Sequence, residues 1–333
     1  MSISIISEQE IRQLIPLDET AIAQIEKAYG WLSSETVIMP PVMQIDQRAV
    51  QGQTCVKSAL VPSQPAFAAK VASIFPQNRE NGLPPNSGLM VLFNSRTGIV
   101  EAILLDNGYL TQIRTAAGGA VAAKHLAPKS VSTIGLIGAG KQARLQLQAL
   151  QLVRDFQHVR IWSRQRPKAE ELAHTLQTTL HVTAEVVDTP QEVVQHAEVV
   201  ITATSAQQPI IIGEWLHPHL HITAMGSDAP HKNELHPGVL VGADLYVCDS
   251  RSQCERLGEL HHAIQAGVAD QIPSVVELGD IINQRKPGRK EEDAITVCDL
   301  TGVGAQDTAI ALYTWEQAKQ AGVGIAIGGP DAS

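Results

Sequence analysis

The chain has no run of lysine or arginine, and its 333 residues carry a formal net charge of -9 at pH 7. Nucleic acid is held by concentrated basic faces, so this absence excludes a nucleic-acid binder. Cysteine is scarce and scattered: Cys55, Cys248, Cys254 and Cys298 include no C-x-x-C pair. Neither a zinc site nor a disulfide framework is expected, the thiols read as reduced, and no metal ligand is assigned. The amino terminus carries Ser2, Ser4, Glu8, Glu10 and Arg12, and it lacks the basic start and apolar core of a signal peptide. Nor is there a run of about 18 apolar residues that could span a bilayer. A cytoplasmic location without a membrane partner follows as an expectation.

What is present is apolar enough to fold. Hydrophobic residues make up 44% and charged residues 18%, a balance that excludes disordered and collagen-like chains. A soft prior of roughly 150 residues per domain gives two domains. Ile11, Leu14 and Ile15, then Ile22, Ile25, Ala28 and Tyr29, recur at helical spacing on either side of Pro16, which predicts two helical pieces over 7–33. From 36 to 105 the texture changes to short β-rich runs at 55–62, 66–75 and 89–93, set between Pro and Gly, and predicts an antiparallel sheet. An Ala-rich helix over 111–127 ends at Pro128. Beyond it the periods alternate strand, helix, strand through residue 203, the pattern of a doubly wound α/β domain. Runs at 221–225, 244–247 and 295–298 extend that sheet, 283–293 reads as a loop, and a last helix over 305–321 folds back onto the first domain. The fold class expected is α/β: a Rossmann doubly wound parallel sheet plus a mixed α+β domain.

One short segment carries a chemical signature. Gly138-Ala139-Gly140-Lys141-Gln142-Ala143 is a G-x-G-x-x-A fingerprint between a strand and a helix. The first glycine permits a tight turn, the second lets backbone approach a pyrophosphate at the helix N-terminus, and the small Ala143 lets helix and strand pack closely. The plainer alternative is a glycine-rich turn that binds nothing. At the end of the second strand, Trp162-Ser163-Arg164 offers no acid for the ribose diol of NAD. Arg164 and Arg166, with Lys168 nearby, instead suit a 2′-phosphate beside the Ser163 hydroxyl, or else form a solvated basic loop. NADP(H) is therefore the preferred cofactor, with NAD(H) possible.

Several further motifs occur in order: Lys70-Val71, Phe75-Pro76-Gln77-Asn78, Gly82-Leu83-Pro84, Leu110-Thr111, Arg114-Thr115-Ala116-Ala117, Met225-Gly226-Ser227-Asp228 with Lys232, and Thr301-Gly302-Val303-Gly304. With the glycine turn they make the chain resemble the ornithine cyclodeaminase/μ-crystallin family over nearly its full length. The resemblance implies a homodimer whose substrate-binding and dimerisation domain comprises 1–127 with 305–333, and whose Rossmann domain comprises 128–304. It implies hydride transfer between a nicotinamide and the α-carbon of an amino or imino acid. It carries cofactor contacts onto Gly138, Ala139, Gly140, Lys141 and Gln142, onto Thr202-Ala203-Thr204 and Met225-Gly226-Ser227 at later strand ends, and onto Lys232 and Val303.

The same match gives Lys70 and Arg114, with Arg48 and Thr301, to the substrate, and an acid/base role to Asp228. Fixed cations suit an α-carboxylate, and Lys70 also stands as a catalytic candidate. A carboxylate at a strand's carboxyl end can shuttle the proton of a substrate amine. The plainer alternatives are structural ion pairs and a turn aspartate. His231 and Pro85 depart from the residues the family favours. His261-His262 has no metal-ligand spacing and reads as a solvated helix end.

Ornithine-type cyclodeaminases carry an acid near the substrate's distal amine, at a position that matches Lys57 here, thirteen residues before Lys70. A lysine repels an ammonium and favours a distal carboxylate, provided its strand turns it inward. Lysine there looks like the iminosuccinate reductase-like and ectoine-utilisation cyclodeaminase-like branches, and Gly108-Tyr109-Leu110-Thr111 after Asn107 looks like the second of these. The expected activity is an imino acid reductase or amino acid dehydrogenase for a small, dicarboxylic substrate of the iminosuccinate/aspartate kind. A cyclodeaminase releasing ammonia with its cofactor retained is the alternative enzyme, and a non-catalytic μ-crystallin-like binding protein is the alternative of another class.

Overall fold

A computed structural model describes residues 2–328; residues 329–333 of the expected first domain lie outside the described residues. The chain divides into two compact units, one of residues through Arg114 together with those from Val303, the other Thr115–Gly302. The division falls inside the Ala-rich helix Tyr109–Leu126.

The first unit is built on a seven-stranded sheet, counted among the described residues. Its strands are β1 (Ile3–Ser7), β2 (Met43–Gln47), β3 (Gly52–Ala59), β4 (Ala66–Ile74), β5 (Asn86–Asn94), β6 (Val100–Leu105) and a last strand Ile325–Ile327. The order is last strand, β1, β6, β5, β4, β3, β2. The expected antiparallel sheet is there, as a meander of β3, β4, β5 and β6. Two strands at the chain's ends complete it: β1 lies parallel to β6, and the last strand antiparallel to β1. Alternation fixes the faces: Ala59, Ala68, Met90, Leu92, Leu104 and Ile6 are buried, whereas Phe67, Val71, Leu89, Val91 and Ile103 on the opposite face are only half-buried.

Two helices add buried residues to this unit. Helix Glu19–Ser34, capped where the Asp18 carboxylate accepts from the Ala21 amide at 2.8 Å, contributes Ile22, Ile25 and Tyr29. Helix Gly304–Ala321 packs against it and against β3 and β4. Small residues allow that approach: a Cβ on Gly304 would stand 2.4 Å from the Ser58 carbonyl oxygen. Thr308 then ties the helix to both strands, its Oγ1 donating to the Ala59 carbonyl (2.8 Å) and accepting from the Ala68 amide (3.1 Å).

The second unit carries eight strands, all paired in parallel: β7 (Thr133–Ile137), β8 (His158–Trp162), β9 (Thr183–Val186), β10 (Val199–Thr202), β11 (His221–Ala224), β12 (Leu245–Cys248), β13 (Val275–Glu277) and β14 (Thr296–Asp299). Their order is β13-β12-β14-β11-β10-β7-β8-β9. Every residue of β10, β11 and β14 is buried, as expected of strands covered on both faces. The order reverses between β7 and β10, the switch point where open α/β sheets place their ligands. This is the doubly wound sheet expected from the alternating periods.

Candidate functional site

In the first unit, β3 and β4 set two lysines side by side. Lys57 lies directly opposite Lys70 in the antiparallel register, so both point to the face that packs on helix Gly304–Ala321. Lys57 is 9% exposed, Lys70 2% and Arg114, from helix Tyr109–Leu126, 6%. All three converge on a carboxylate that the sequence reading passed over, Asp307 in the first turn of the last helix, with no exposure. Lys70 Nζ donates to Asp307 Oδ1 at 3.0 Å and lies 2.8 Å from Oδ2, a charge contact without the direction of a hydrogen bond. Arg114 Nε donates to the same Oδ1 at 3.1 Å.

Three buried cations therefore face one carboxylate. Burial, then Arg114 and Lys57, push the Lys70 ammonium down to about 8 despite Asp307, and the cations hold Asp307 below its usual carboxylate range against its own burial. Asp106, the other acid that feels Lys70, is pushed up by burial and accepts from the Leu110 amide at the start of the Ala-rich helix. Cations gathered on one buried face are the groups that suit an anionic ligand. Arg48 stands exposed on the turn Arg48–Val50 and is not brought to this cluster. Val303 opens the last helix, its amide bonded to Gln306 Oε1.

In the second unit, β7 is followed by Gly138, which has φ +118, a region that L side chains rarely adopt. A Cβ there would stand 2.7 Å from the Ala203 carbonyl oxygen, at the end of β10. At Gly140 a Cβ would meet nothing within 4 Å. Gly140 is the N-cap of helix Lys141–Gln151 and supplies no capping side chain, so a small backbone turn leads into the helix N-terminus. A cradle of that kind fits a pyrophosphate, and these residues fit a dinucleotide. Ala143 is fully buried against the sheet. Farther along the same helix, Gln146 approaches so closely that a Cβ on Gly119 would come within 1.9 Å of its Oε1.

At the ribose end, Ser163 Oγ accepts from the Gln165 amide. Arg164 is exposed, but Arg166 is drawn away by Asp188 and Glu170. The two arginines therefore do not act alike.

Four buried carboxylates that sequence reasoning missed tie together the carboxyl ends of the strands. Glu234 accepts from Thr202 Oγ1 (2.6 Å), the Thr204 amide (2.7 Å) and the Gly226 amide (2.7 Å). Glu259 accepts from Ser227 Oγ (2.5 Å) and the amides of Glu234 and Leu235. Asp299 takes the Tyr246 hydroxyl and the Glu259 amide, and Asp249 the Thr301 hydroxyl and the Gly302 amide. Desolvation pushes all four up, Asp299 to about 7. Their signal in the sequence was indirect. Gly226 and Gly258 are glycine because a Cβ would sit 2.3 Å and 2.4 Å from the carboxylates of Glu234 and Asp299.

Asp228 follows β11 with its side chain 44% exposed and pairs with Lys232, four residues on in the following turn. The Met225 amide joins this strand end to the Thr202 carbonyl. His261 and His262 depart from the expectation of a solvated helix end: both are half-buried, and their rings bond the carbonyls of Glu255 and Lys232. Packing around the Lys232 loop accounts for that difference. Among the described residues no three metal-ligating side chains converge, and no helix is long and apolar enough to cross a membrane.

A family model described as the ornithine cyclodeaminase/mu-crystallin family matches residues 2–322. A protein of Sinorhizobium fredii named uncharacterized cyclodeaminase y4tK is 46% identical over 97% of this chain and 98% of its own. The iminosuccinate reductase of Paracoccus denitrificans, solved with NAD+, is 32% identical, covers 98% of this chain and 100% of its own, and has a TM-score of 0.89. An archaeal alanine dehydrogenase dimer with bound NAD is 30% identical, with coverages of 98% and 99% and a TM-score of 0.89.

Proposed function

The chain belongs to the ornithine cyclodeaminase/mu-crystallin family, and from that premise we propose that it is an imino acid reductase and amino acid dehydrogenase for a small dicarboxylic substrate. The observation that carries this reading is the pairing of Lys57 with Lys70 on one buried face beside Arg114, with Asp307 as their acid. Lys70 and Arg114 hold the α-carboxylate, and Lys57 takes the distal one. A substrate ending in an ammonium would meet three cations, whereas a second carboxylate offsets them.

The nicotinamide, when bound, supplies the hydride acceptor for the substrate's α C–H bond. As that bond breaks and the amine becomes an imine, Asp228 takes the proton from nitrogen, and in the reverse direction it returns it. Lys232 holds that carboxylate in place, and the first-turn amides after Gly140 bind the pyrophosphate. NADP(H) is the preferred form, with NAD(H) admitted. The preference rests on Arg164 and the absence of an acid after Trp162, since Arg166 is committed to Asp188 and Glu170.

The half-buried face of Phe67, Val71, Leu89, Val91 and Phe93, with Phe67 stacked on Phe93 at 5.4 Å, supports a homodimer through the first unit's sheet. Measuring kcat/KM for aspartate and for alanine in Lys57→Ala tests the substrate reading. Aspartate should lose roughly tenfold or more, as expected for one charge-assisted contact, while alanine is spared. Equal losses for both would reject it.

A further inference from the structure

We infer that Glu234 is the positioning residue for the dinucleotide loops, acting through two strand ends at once; this rests on the proposed cofactor reading. Its carboxylate has no exposure. Oε1 accepts from the Thr204 amide, and Oε2 accepts from both Thr202 Oγ1 and the Gly226 amide. Thr202 ends β10 and Thr204 lies in the loop leaving it, and Gly226 lies in the loop leaving β11, so one side chain closes both. Its backbone is held in turn, because the Glu234 amide donates to Glu259 Oε1 at 2.9 Å.

The loop after β10 bears directly on the phosphate turn. The Ala203 carbonyl oxygen stands where a Cβ on Gly138 would come within 2.7 Å, and Glu234 grips the next residue's amide. Moving Thr204 moves Ala203 against the turn that receives the pyrophosphate. On the other side, the grip on Gly226 fixes the backbone two residues before Asp228, whose own amide donates to the Gly226 carbonyl. The absence of a side chain at Gly226 follows from this arrangement, since a Cβ there would lie 2.3–2.5 Å from the carboxylate atoms of Glu234.

A carboxylate accepts at both oxygens, and an amide does not. Glu234→Gln keeps the shape but sets an NH2 group against at least one of the two backbone N–H donors, leaving a buried donor without an acceptor.

The test is titration of the purified chain with NADPH and NADH, followed by fluorescence, with Tm measured in parallel. Glu234→Gln should raise the cofactor Kd roughly tenfold. Ile281→Ala, a buried change in helix Leu278–Ile282, should lower Tm and leave the Kd at the wild-type value, which separates positioning from stability alone. Thr202→Val, which removes one donor to Oε2, should raise the Kd by a smaller factor and add nothing in the Glu234→Gln background. An unchanged Kd in Glu234→Gln, or an equal rise in Ile281→Ala, overturns the inference. Should Glu234→Gln not accumulate as folded protein, an unchanged Kd in Thr202→Val overturns it. A wild type that binds neither dinucleotide overturns the cofactor reading as well, so the two failures are distinguishable.

Discussion

Replacing Asp307 by Asn removes the carboxylate that faces Lys57, Lys70 and Arg114 and keeps its shape. The lysine contacts are 2.8 and 3.0 Å and the arginine contact 3.1 Å. At an effective dielectric of about 20, a unit charge pair about 3 Å apart attracts by about 5 kcal/mol before desolvation. Desolvation offsets much of this in the intact cluster, but removing one partner leaves the others buried and uncompensated, at a typical cost of about 3–5 kcal/mol. With no exposure at Asp307, solvent screening does not reduce that figure. Thermal unfolding should therefore show a Tm lower by on the order of 10 °C. Because the variant's cluster is more cationic still, succinate should raise its Tm more than it raises that of the wild type. The acid limb also changes. Asp307's pKa is depressed below 3.8 in the fold, so its contribution is present above that value and lost as pH falls through the folded pKa, and the Asn variant lacks this loss. A variant with wild-type Tm and no added response to succinate would refute the reasoning.

Lys70, at about 8 in the free protein, is charged below that pH and neutral above it, so KM for the dicarboxylic substrate should stay level below about pH 8 and climb above it; a flat profile to pH 9.5, roughly 1.5 units beyond, would exclude Lys70 from carboxylate binding. Arg164→Asp should erase or reverse a preference for NADPH over NADH, because an attraction to the 2′-phosphate becomes a repulsion; equal affinities in the wild type would remove the basis for that preference. Asp228→Asn should bind cofactor normally and lose turnover by roughly 10²-fold or more, and near-normal turnover would return Asp228 to a turn aspartate. Val91→Asp, on the half-buried sheet face, should shift sedimentation from dimer to monomer; an unchanged dimer would place the interface elsewhere.

The fold was legible where one period repeats. Strand and helix alternation after Pro128 gave the parallel sheet, and the glycine turn falls where the strand order reverses. β1 and the last strand escaped notice because each is a few residues long and gains its place from partners distant in sequence. Lys57 was legible as a residue type but not as a direction. Only the register Lys57 opposite Lys70 settles which face it shares. Asp307 lies 237 residues from Lys70, with no local pattern to join them. Charge balance held the missing signal: two cations brought together in one site call for an acid, and the last helix offers one in its first turn. Glu234, Glu259, Asp249 and Asp299 look in sequence like ordinary surface acids. Only the fold shows that each collects donors from segments distant in sequence.

The most direct test of net redox chemistry at a dicarboxylic amino acid is anaerobic incubation of the wild type with oxidised cofactor and either aspartate or ornithine, following reduced-nicotinamide absorbance and free ammonia together. The account predicts that aspartate yields reduced cofactor, with ammonia from imine hydrolysis never exceeding it, and that ornithine yields neither. Ammonia released from ornithine with no accumulation of reduced cofactor would contradict it and identify a cyclodeaminase.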